Sequence, residues 1–152
     1  MAVATHVSRV AKDYAPFGYS IMETASGTVF TEAAGTADKT ELLLIADDAD
    51  IYIESITVFS VNGVTADNVN FLTITCASAA TGAVDVLPHF AAFTTQVSGG
   101  GALVASTQYP QTVLNRVVAS GRQLIFKVAK ATADTDTNGR MVGVSVRYRR
   151  KA

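Results

Sequence analysis

The sequence predicts an all-β fold, an antiparallel β-sandwich of eight to nine strands, on three observations. Runs with apolar residues at every second position fill most of the chain after Phe17. Clusters of Gly, Asn, Asp and Ser separate these runs at spacings that suit a sandwich or barrel. The last run places Val142, Val144, Val146 and Tyr148 on one face and Gly143, Ser145, Arg147 and Arg149 on the other, the pattern of a half-buried strand.

The expected strands are 17–23, 39–46, 50–61, 69–77, 84–97 with a break, 103–107, 112–118, 123–130 and 140–149. In Asp50 to Val61 the apolar phase changes between Ile53 and Ile56, which predicts an extra residue, a β-bulge, near Glu54 and Ser55. Leu124, Ile125, Phe126 and Val128 are apolar on both faces of their strand, interrupted only by Lys127. Such a strand is covered on each side, and a neighbouring subunit over Ile125 and Lys127 is one possible cover.

No internal repeat and no proline-rich linker divides the chain, so residues 17–152 read as one sandwich domain. Residues 1–16 read as a separate N-terminal arm. Val3, Val7, Val10 and Tyr14 recur at helical spacing, but the β-branched content is poor for a free helix and Pro16 stops it. The expectation is an arm that orders by docking, with Arg9 and Lys12 off its apolar stripe; a frayed terminus is the competing expectation.

Composition narrows the function classes. Charged residues make up 16% of the 152 residues, against about 25% in ordinary soluble domains. A surface so short of charge gives weak electrostatic protection against association and suits permanent neighbours. A formal net charge of −1 provides no field to draw in nucleic acid or an anionic membrane. No stretch approaches the length of a membrane span, and the first twenty residues are too interrupted for a signal peptide. The single cysteine, Cys76, forbids an intramolecular disulfide and a thiolate-built metal cluster, and fits synthesis in a reducing cytoplasm.

Candidate chemistry is sparse. Asp134, Asp136 and Asn138, followed by Gly139, reproduce the opening of a calcium loop, but the twelfth position is Ser145 instead of a bidentate Glu. A polar hairpin loop in which Asn138 and Gly139 take positive φ explains the same residues. Asp47, Asp48 and Asp50 read as a solvated turn between two strands, with a cation site as the alternative. Cys76 with His89 is a conceivable nucleophile pair, yet Cys76 follows Leu72 and Ile74 in phase and reads as a core residue. Neither histidine forms a paired-ligand motif. No catalytic residue and no cofactor is expected, and the chain is read as a non-enzyme. Ser98, Gly99, Gly100 and Gly101 read as a flexible turn, and the basic end from Arg147 to Lys151 as a solvated edge or a salt contact with an acidic partner subunit.

Two segments, DIYIESITVFSV (50–61) and GRQLIFKVAKATADTDTNGRMVGVSVRYRR (121–150), resemble the small jelly-roll virion proteins of tailed bacteriophages, especially capsid decoration (cement) proteins. They cover under half of the chain and are patterns of strand and turn, and residues 1–16 match no motif of that family. The resemblance implies a jelly roll, a homotrimer, and a place on the exterior of a virion shell after synthesis in the host cytoplasm. The partner would be the major capsid protein, with no membrane and no direct nucleic-acid contact. A receptor- or carbohydrate-binding jelly roll of a tail fibre or spike is the alternative; tryptophan is absent for sugar stacking, although five tyrosines are present.

Overall fold

A computed structural model describes residues 22–31, 38–80, 89–133 and 137–151. Among them lie nine strands and no helix: β1 (Glu23–Phe30), β2 (Lys39–Ala46), β3 (Ile51–Ser60), β4 (Leu72–Ala80), β5 (His89–Thr94), β6 (Gln108–Gln111), β7 (Val117–Val118), β8 (Arg122–Lys130) and β9 (Met141–Arg150). They form two antiparallel sheets, ordered β1-β9-β3-β6 and β2-β8-β4-β5, with the short β7 also pairing β3. Strand partners are nested: β1 with β9, β2 with β8, β3 with β6, β4 with β5. A long hairpin rolled over on itself gives this order, which is the jelly roll.

Period-two patterning fills the space between the sheets. Ile51, Ile53, Ile56 and Val58 from β3 and Val142, Val144, Val146 and Tyr148 from β9 line one inner face. Leu72, Ile74 and Cys76 from β4 and Leu124, Phe126 and Val128 from β8 line the other. The bulge falls where the phase change places it. Ile53 pairs Tyr148 and Ser55 pairs Arg147, leaving Glu54 as the extra residue and keeping every isoleucine of β3 inward.

Residues 17–21 of the expected first strand and 84–88 of the fifth lie outside the described residues; β1 begins at Glu23, on the small residues of ETASGTVF, which carry little apolar period. Three other expected strands differ. The expected strands 103–107 and 112–118 are replaced by β6 between them and the two-residue β7; Leu103 makes only an isolated bridge with Val64. β6 contains Pro110, tolerated because β6 is an edge strand whose outward N–H needs no ladder partner. Finally, Val69 lies in a turn and is 63% exposed, so β4 starts at Leu72. There the Asp67 carboxylate accepts from the Val69 and Asn70 N–H groups, which hold its pKa below the ordinary aspartate value.

Gly143 of β9 marks a close approach. A Cβ there would meet Cζ of Phe59 at 2.4 Å and the carbonyl oxygen of Gly27 at 2.7 Å. The ring can turn aside but the backbone carbonyl cannot. Gly143→Ala is therefore expected to cost about 1–3 kcal/mol in urea unfolding, and Phe59→Ala in the same chain to recover only part of that loss.

Candidate assembly surfaces

Turn chemistry absorbs most of the polar candidates. At one end of the sandwich Asp50 Oδ1 accepts from the Ser120 N–H at 2.9 Å, and Ser120 Oγ donates to the Asp47 carbonyl at 3.1 Å. Asp50 thus fastens the turn before β8, while Asp47 and Asp48 remain exposed. This supports the turn reading of the acidic triplet.

At the opposite end, Asp134 and Asp136 lie outside the described residues. Asn138, the third candidate calcium ligand, accepts from the Lys130 ammonium through Oδ1. The next ligand position of such a loop, the Arg140 carbonyl, accepts from the Thr31 N–H at 2.9 Å. Oxygens committed to a lysine and to the strand ladder suit a hairpin loop better than a cation cage. Gly139 takes φ +60°, whereas Asn138, expected to share that conformation, does not. Asn62 locks the loop from the side: Nδ2 donates to the Gly139 carbonyl at 2.8 Å and Oδ1 accepts from the Met141 N–H at 3.0 Å.

The basic C-terminal end finds acids within its own chain. Arg149 pairs Glu54 at 2.9 Å and Arg150 pairs Glu23 at 3.4 Å, Glu23 also accepting from the Tyr148 hydroxyl at 3.1 Å. The bulge makes the first pair, because Glu54 is the extra residue beside Arg149. It also frees carbonyls: Arg116 donates to those of Ile53 and Glu54 at 3.1 Å each, its guanidinium 5.8 Å from the Tyr52 ring centre. Arg149 and Arg150, read as a solvated edge or a salt contact with a partner, thus have acids of their own chain beside them. Arg147 is exposed and makes no ion pair among the described residues.

The glycine run is a packed turn. The N–H groups of Gly99 and Gly100 both donate to the Gln96 carbonyl at 3.0 Å, and a Cβ on Gly100 would meet the Thr94 carbonyl oxygen at 2.1 Å. Those two N–H groups are committed to Gln96 and are not offered to an anion.

Two outward sheet faces remain, and the centre of the second is covered within the chain, where Ala77, Ala79, Gln123 and Ile125 are buried. On the β1-β9-β3-β6 sheet, register aligns Phe30 with Met141, then Thr28 with Gly143 and Phe59, then Ser26 with Ser145 and Thr57, then Thr24 with Arg147 and Ser55. This face passes from apolar, through hydroxyls, to a charged end where Arg149 pairs Glu54 and Arg147 makes no ion pair among the described residues. On the other sheet, Leu42, Ile125 and Ala77 align, followed by Ile45, Gln123 and Ala79. Ile125 is 3% exposed and Leu42 45% exposed. Lys127, one step along, pairs Asp38 at 3.3 Å. Residues 1–16 of the expected arm lie outside the described residues. No periodic signal singles out Leu42 or Ile45 within the run Leu42 to Ile45; the bulge between Leu42 and Leu44 decides which of them face out.

Cys76 and His89 are not brought together as a catalytic pair. Cys76 pairs Ala91 inside the core, and His89 pairs Ala77 on the outward face. Burial pushes the thiol pKa up to about 12. A raised thiol pKa stabilises the fold below the unfolded value and is lost as pH climbs from about 9 toward 12. Thiol titration is expected to find Cys76 unreactive at pH 8 until urea unfolds the chain. Above pH 9, Cys76→Ala should lose stability less steeply than the parent, by up to about 1.4 kcal/mol per pH unit.

No protein-family model matches the chain, and no curated protein matches it in sequence. Among solved structures it is similar to a chain of the cyanophage Pam1 capsid asymmetric unit, with TM-score 0.53 and 14% identity over 89% of this chain and 88% of that one. Weaker likenesses, on which nothing rests, are to turnip yellow mosaic virus at 100 K (TM-score 0.36, 12% identity, 87% of this chain and 93% of that one) and to its empty head (TM-score 0.34, 14% identity, 87% and 81%). At 14% identity the cyanophage likeness is one of fold: the rolled hairpin described above also builds a chain in a viral capsid.

Proposed function

We propose that this protein is a structural component of a virion, a capsid decoration or cement protein that binds the outside of a major capsid shell and stabilises it. The observation that carries the reading is a jelly roll, similar over 89% of its length to a cyanophage capsid chain, in which Asp50 and Asn138 are engaged by the chain's own turns and Cys76 by its core. Two sheet faces with little free charge and a charged-residue content of 16% suit a molecule that spends its life against neighbours.

In this reading the sandwich supplies self-association, as a homotrimer, and residues 1–16 supply the anchor. Val3, Val7, Val10 and Tyr14 form a stripe too small for a core of its own and too apolar for a solvating tail. Arg9 and Lys12 add rim contacts to acidic groups of the shell. Lys127, with the exposed Leu42 and Ile45 of neighbouring β2, belongs to the outward face of this sheet and forms one side of the subunit interface, whereas Ile125, expected there, is buried within its own chain.

Two experiments test these roles. Deleting residues 2–15 is expected to leave a folded oligomer that no longer co-sediments with undecorated capsids; undiminished capsid binding refutes the anchor. Leu42→Glu reads the β8 face without disturbing the core, since Leu42 is 45% exposed whereas Ile125 is buried within the single chain. It is expected to weaken self-association by several kcal/mol, measured by sedimentation velocity.

A further inference from the structure

Charge and apolar groups are laid out on the two outer faces in matching order. On β9, Arg147 stands at the end of the sandwich where β1 begins, and Met141 with its neighbour Phe30 stands about 20 Å away toward the other end. Phe30 is 58% exposed. On β2, the exposed Asp47 and Asp48 follow the strand at that same first end, and Ile45 and Leu42 recede from them over about 15 Å. Ile45 and Leu42 are 37% and 45% exposed. Arg147, Asp47 and Asp48 make no ion pair among the described residues, whereas the cations beside Arg147, Arg149 and Arg150, are paired internally.

We propose that these strips are the two halves of one interface, the Arg147 face of one copy docking on the Asp47, Asp48, Ile45, Leu42 strip of a second copy. This rests on the proposed function as a self-assembling unit and names the surfaces it uses. The strips differ, so the contact is head-to-tail and closes into a ring when the rotation permits. Both run from charged to apolar in the same direction along the sandwich. Cation meets anion and apolar meets apolar only when neighbouring copies stand side by side with the same ends level. Rotation about an axis parallel to the long axis of the sandwich produces that arrangement; a twofold axis across the sandwich sets the ends opposed and brings Arg147 against apolar groups. Between the charged and apolar ends the Arg147 face offers Ser26, Ser145 and Thr57, small side chains that allow close approach.

Charge reversal tests the pairing in the full-length chain, by sedimentation velocity across a concentration series. Arg147→Glu alone, and Asp47→Lys with Asp48→Lys, are each expected to weaken association about tenfold or more, because like charges then face each other. The three substitutions together are expected to restore association to within a few-fold of the parent, and added salt to weaken the parent but not the apolar contribution. Circular dichroism and melting curves unchanged from the parent show that the exposed substitutions leave the fold intact. Should the parent oligomerise while either reversal has no effect, or the combined variant fail to recover, the interface is overturned and the self-assembling reading stands. Reversal that spares the oligomer but abolishes co-sedimentation with undecorated capsids also overturns it, assigning the face to the shell. A parent that remains monomeric at high micromolar concentration sinks both.

Discussion

Two glycines on neighbouring strands set how closely this sandwich closes. On the inside, a Cβ at Gly27 of β1 would meet Cε1 of Phe126 at 3.1 Å and Cγ of Glu41 at 3.0 Å. The phenyl ring of β8 therefore reaches across from the opposite sheet and occupies the place that a side chain on β1 would take. On the outside, the Phe59 ring covers Gly143 in the same way. Each aromatic ring covers a bare stretch of backbone, restoring the apolar contact that glycine lacks in a strand. The β1 and β2 edges can then lean together, which lets a rolled hairpin close along one side. The remaining core follows from alternation on β3, β4, β8 and β9.

Much of this was legible in the sequence, for reasons that differ by segment. β2 occupies the residues expected of it, and β8 and β9 depart by a residue at their ends, because β2 and β8 are dense apolar runs and β9 alternates strictly. The bulge at Glu54 was legible because an inserted residue lets a strand change phase while its apolar side chains stay on one face. β1 and β6 were not. Thr, Ser and Gly on β1 reveal their strand only by pairing β9, more than a hundred residues away, and Pro110 in β6 argues against a strand until its edge position is known. In both cases tertiary context overrides weak local preference.

The surfaces were harder to read than the core. Burial leaves an imprint on composition, but an ion pair between Arg149 and Glu54, or between Arg150 and Glu23, joins residues far apart in the chain and leaves none. The C-terminal basic run therefore resembles a partner-seeking patch in sequence. Arg149 and Arg150 are satisfied at home, which leaves Arg147 within β9, and Lys151 beyond it, without an ion pair among the described residues. Exposed pairs of this kind contribute only about 0.2–1 kcal/mol each, so their effect on stability is small and their effect on recognition larger. By occupying Arg149 and Arg150 they leave Arg147 as the cation of this face that is open to a partner, a more selective signal than a diffuse basic patch.

The position of the chain entry gives the charged end a further consequence. Glu23 opens β1 opposite Tyr148, and Ile51 opens β3 opposite Arg150, so the chain enters β1 at the end that carries Asp47, Asp48 and Arg147. In the proposed ring, whose axis runs along the sandwich, every β1 begins on one side of the assembly. Segments that depart together share one target surface, and binding of the first raises the effective concentration of the others. A twofold pair with opposed ends sends its segments in opposite directions and forfeits that gain on any single surface. Level ends are therefore the arrangement in which a low-charge sandwich and a short apolar arm work on the same partner. The proposed side-by-side ring links the polarity of the two outer faces to the side from which the chain enters β1.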